Sequence, residues 1–66
     1  MTPAEFNALL AARQGMTPEA WAAKNRKANI EGLRHCARAA REAGNTAFGD
    51  MHARHADWLE RQPLNV

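Results

Sequence analysis

Sixty-six residues, with nine lysines and arginines against seven aspartates and glutamates, make a small and mildly basic chain of formal net charge +2. That length bounds it to a single domain, residues 1–66, with a marginal core, and the charge permits an acidic partner without requiring one. One cysteine excludes an intramolecular disulfide framework, and no apolar run approaches the ~20 residues that a membrane-spanning helix needs.

The apolar content of 45% is less than it sounds, because 15 of those residues are alanine. The large apolar side chains are few, from Phe6, Leu9 and Leu10 to Trp58, Leu59, Leu64 and Val66. Alanine has the best helix propensity, and β-branched residues are too scarce to build strands. The sequence therefore predicts an all-α fold. A thin supply of large side chains also predicts that stability comes partly from a second copy, as a homodimer. Nothing resembles a signal peptide, and the lone Cys36 fits a reducing, cytoplasmic compartment.

In chain order, Thr2-Pro3-Ala4-Glu5 reads as a helix start, with Thr2 as the cap, Pro3 in the first turn and Glu5 completing a capping box. Phe6, Leu9 and Leu10 form one face, and Gln14-Gly15 ends this short helix at about residue 14. Thr17-Pro18-Glu19 repeats the start signal. The second helix then runs to about residue 43 with no stronger breaker than Gly32, which marks a close crossing or a bend. Its early apolar residue, Trp21, has a poor apolar face of its own at helical spacing. Trp21 is thus either covered by the first helix or exposed as an anchor. Gly44-Asn45 stops the second helix, and Asn45 or Thr46 caps a third that runs from about residue 46 to 62 before Pro63.

The expected architecture is a short helix followed by an antiparallel hairpin that turns at Gly44-Asn45. Ile30, Leu33, Ala37 and Ala40 on one side, and Phe48, Met51, His55 and Trp58 on the other, recur at steps of three and four. They form the expected core or dimer seam, with two hairpins making a four-helix bundle. The hairpin also resembles a single tetratricopeptide-type unit in Leu33, Ala37, Ala40, Gly44, Gly49 and Ala56, over roughly half the chain. It departs from that pattern at Ala53 and Arg61. Since one unit cannot stack into a solenoid, the resemblance is taken as the general grammar of close-packed helical hairpins.

Three constellations bear on function. Lys24, Lys27, Arg34, Arg38 and Arg41 make a basic stripe along the second helix. With Trp21, it could meet an acidic or apolar patch on another protein or the phosphates of a nucleic acid. Its ordinary alternative is a solvated face, with Glu31 pairing to Lys27 and Arg34 and Glu42 to Arg38. A DNA-reading helix-turn-helix between Arg38 and Trp58 fails, because Asn45 and Asp50 fall where that motif needs apolar anchors. His35, Cys36, His52 and His55 carry the ligand types of a zinc site, but neighbours on a helix diverge by about 100°. They read better as a small buried cysteine and interfacial histidines. No paired carboxylates, phosphate loop or activated nucleophile is evident. The chain is expected to be a non-enzyme without metal or cofactor. In size and composition it is similar to the small accessory proteins of bacteriophages and mobile elements. These residues predict a protein-interaction module that modulates or inhibits another protein, with a nucleic-acid-binding regulator as the alternative.

Overall fold

The computed structural model describes residues 1–64; Asn65 and Val66 lie outside the described residues. The chain is all-helical, with α1 at Pro3–Arg13, α2 at Pro18–Glu42 and α3 at Thr46–Arg61. These residues divide into two compact units. One comprises Met1–Arg26 with the segment from Pro63, and the other comprises Lys27–Gln62.

In the first unit the predicted capping box is formed. The Thr2 hydroxyl accepts from the Glu5 backbone N–H at 3.2 Å, and the Thr2 N–H donates to the Glu5 carboxylate at 3.4 Å. These bonds satisfy two of the orphan donors at the start of α1. Met1 stays 83% exposed, so no hydrophobic staple forms there. Gly15 ends α1 at φ +68. Its N–H donates to Ala12 and that of Met16 to Ala11, the paired bonds of a Schellman motif. Thr17 then starts α2 by accepting from the Ala20 N–H at 3.2 Å. Ala11 is fully buried, whereas Phe6 and Leu9 remain about half exposed. The Arg26 guanidinium donates to the Pro63 carbonyl at 2.8 Å, holding the chain beyond α3 to this unit.

In the second unit, α2 and α3 fold back on each other through a connection of three residues. Gly44 takes φ +84, and Gly44 and Asn45 donate to Arg41 and Ala40 at 3.0 and 2.8 Å. This is a second Schellman ending. Asn45 serves both helices, because its side chain also accepts from the Phe48 N–H at 3.1 Å as the α3 N-cap.

The interior of this hairpin is made of small residues. Ala37, Gly49 and Ala56 are buried, and Ala40 and Ala53 are half-buried. A Cβ placed on Gly49 would lie 2.9 Å from the Ala37 carbonyl oxygen and 2.8 Å from Arg41 Cγ. The two backbones approach too closely there for any side chain. Gly32, by contrast, has nothing within 4 Å of such a Cβ. Of the close crossing or bend expected at Gly32, the close crossing lies at Gly49 instead.

Candidate functional site

The close approach at Gly49 decides which way every other side chain of α3 points. With 3.6 residues per turn, directing Gly49, Ala53 and Ala56 at α2 turns Phe48, Met51, His55 and Trp58 away from it. Phe48, Met51 and Trp58 are 45%, 54% and 51% exposed, and His55 is exposed as well. The expectation that these four pack as a core against α2 within one chain is thus corrected. On the α2 side the expected residues do face inward: Ala37 is buried, and Ile30, Leu33 and Ala40 are half-buried. Phe48 and His52 stack edge to face at 4.3 Å, and His55 lies 6.3 Å from the Trp58 ring. The outer stripe is therefore a continuous aromatic and thioether surface.

The basic stripe is thinner in the structure than in the sequence. Arg34 donates to Glu60 at 2.6 Å and to Asp57 at 3.2 Å, and Arg41 donates to Asp50 at 3.0 Å. The hydrogen bond to Glu60, then that to Asp57, raises the Arg34 pKa above its ordinary value. These cross-helix pairs replace the within-helix pairs to Glu31 and Glu42 that the sequence suggested. They arise because Asp50, Asp57 and Glu60 border the inward stripe of α3 on the side where Arg34 and Arg41 emerge from α2. Lys27 and Arg38 are exposed in the hairpin unit, and Lys24 is exposed in the first unit. No ion pair among the described residues engages these three. Trp21 is half-buried in the first unit, and its indole N–H is buried with no hydrogen-bond acceptor among the described residues. That placement fits cover within the first unit better than an exposed anchor.

The opposite flank of the hairpin is uncharged. Ala28, Asn29, Gly32, Leu33 and Cys36 of α2, with His55 and Leu59 of α3, line a shallow groove of about 450 Å³. Cys36 is exposed there, not buried as the sequence suggested. Cys36 and His55 share the groove, yet no three His, Cys, Asp or Glu side chains among the described residues come together as a metal site would require. Nor does any described helix have the length and apolarity to cross a membrane.

Sequence periodicity missed that α3 carries two apolar stripes instead of one. The available signal was residue size. Gly49, Ala53 and Ala56 also fall at helical spacing, and small residues permit the closer approach. No protein-family model, curated protein or solved structure matches the chain.

Proposed function

We propose that the chain is a small, non-enzymatic interaction module that binds another protein and modulates it, and that it works as a self-associated helical bundle. The observation that supports this best is the exposed stripe of Phe48, Met51, His55 and Trp58, beside a groove with no charged lining. Contiguous apolar surface of this kind marks interaction sites. On the opposite flank Lys27 and Arg38 are outside the intrachain ion pairs, which suits a partner with an acidic patch.

The alternative is a nucleic-acid-binding regulator using the same basic flank. It draws less support, since Arg34 and Arg41 already face Asp50, Asp57 and Glu60. An arginine held by a carboxylate must give up that pair to neutralise a phosphate, which lowers the affinity and its salt dependence together.

The deciding experiment uses the whole chain as bait, alone and with Lys27→Glu and Arg38→Glu combined. A defined partner that is retained after nuclease treatment and released by the double substitution supports the interaction module. Binding to mixed DNA or RNA at about 50 mM salt, where phosphate-driven affinity is strong, with no nuclease-resistant partner, favours the alternative.

A further inference from the structure

The uncharged face of the hairpin contains two surfaces of opposite relief. On α3, Trp58, Met51, His55, Phe48 and Leu59 fall within about 100° of the helix circumference, and they are mostly large. On α2, Ala28, Gly32, Cys36 and Asn29 fall within a similar arc, and they are small. No charged residue between Lys27 and Gln62 falls in either arc. The groove runs between the two surfaces.

We infer that this face is covered by a second copy of the chain, with α3 of each copy lying on the small-residue surface of α2 of the other. The inference rests on the self-association proposed above and specifies its geometry. Three observations carry it. The described residues bury only alanines among their apolar side chains, namely Ala11, Ala37 and Ala56. The hairpin by itself therefore removes little apolar surface from water. Phe48, Met51 and Trp58 leave roughly 300 Å² exposed, taking about 200 Å² for each large side chain. With His55, Leu59, Leu33 and Cys36 around them and the exposed Ala28, Asn29 and Gly32 of α2, the face comes to roughly 600 Å², the lower end of what a stable interface buries per partner. Lastly, two chains of like net charge can meet here without opposing charges, because the charged residues lie on the other flank.

Relief selects the symmetry. A two-fold axis parallel to the helices places each large α3 residue over a small α2 residue of the other copy. A two-fold axis across the helices would set large on large and small on small. The first arrangement is isologous and makes every neighbouring helix pair antiparallel. It also keeps the level of each residue. Arg34 lies level with Asp57 and Arg41 with Asp50, and Cys36 shares its groove with His55, so Cys36 faces His55 of the partner subunit.

Cys36 supplies the test. Sedimentation of the whole chain at about 100 µM should give twice 7.3 kDa, and the mass should fall on dilution. Maleimide labelling of Cys36 should slow by about tenfold or more between dilute and concentrated protein, following the bound fraction. His55→Glu and Cys36→Lys should each give single chains with helical circular dichroism retained, and the two together should restore association. Glu31→Lys, on the charged flank, should leave the mass doubled. A single-chain mass at that concentration overturns the inference. So does a dimer in which Cys36 labels at one rate at every concentration and His55→Glu has no effect; that outcome leaves self-association standing through another surface. Partner capture by the Lys27 and Arg38 flank is read separately from both.

Discussion

The two apolar stripes of α3 differ in what they do with the same helix. The inner stripe, Gly49, Ala53 and Ala56, contributes almost no apolar area, yet it sets the distance between α2 and α3. The outer stripe, Phe48, Met51, His55 and Trp58, carries most of the apolar area of α3 and buries only part of it. In a chain this short, position and size are thus separated. Small residues fix the hairpin, and large residues remain for whatever covers it. A helix with one stripe would have to use its large residues for both purposes.

The role of the inner stripe is tested most severely by enlarging it by one carbon. Gly49→Ala should destabilise the chain by about 1–3 kcal/mol, because the new Cβ overlaps the Ala37 carbonyl and the helices must separate. That loss must exceed the gain of about 1 kcal/mol that alanine brings to any helix interior. Gly32→Ala isolates the gain. Gly32 has open space around its would-be Cβ and no positive φ, so this substitution should stabilise by about 1 kcal/mol. Urea unfolding of both variants, at a concentration where the wild type is a single chain, checks the pair. If Gly49→Ala stabilises as Gly32→Ala does, the close approach at Gly49 is wrong and the inner stripe loses its role.

Much of the fold is legible in the sequence because its signals are local. Thr2 with Glu5, Thr17, Gly44 and Asn45 each act within four residues, and the structure uses every one of them. Asn45 is a further case: Asn45→Ala removes the side-chain acceptor of the Phe48 N–H and should cost about 1 kcal/mol by the same unfolding assay. The orientation of α3 is not local. Periods of three and four fit Phe48, Met51, His55 and Trp58, and they fit Gly49, Ala53 and Ala56 as well. The choice between the two stripes is made by what α2 can accept. Ala37 and the Arg41 stem admit only a residue without a side chain, a constraint that no run of α3 residues expresses alone. The small positions of the tetratricopeptide-like pattern, Ala37, Ala40, Gly49 and Ala56, carried that information: Ala40 is half-buried and the other three are buried. The site was less legible for the same reason. Arg34 and Arg41 look like free cations until α3 brings Asp50, Asp57 and Glu60 beside them.

The smallest expected effect asks whether charge or packing holds the inner stripe in place. Arg34 bridges α2 to both Asp57 and Glu60, but its side chain is 39% exposed and theirs just over half, and pairs so open to solvent contribute little. Arg34→Ala should lower the unfolding midpoint less than Gly49→Ala does, and the difference from wild type should shrink in about 1 M salt, where the screening length is near 3 Å. The raised Arg34 pKa sets the sign with pH. A group bound more tightly to its proton in the folded state contributes fully below its ordinary pKa and loses that contribution only as pH rises past the raised one. The pairs' contribution through the arginine should therefore be flat across neutral and mildly alkaline pH. A loss from Arg34→Ala as large as that from Gly49→Ala, and unmoved by salt, would mean that the hairpin is held by its arginine bridge and that the small stripe merely tolerates the distance.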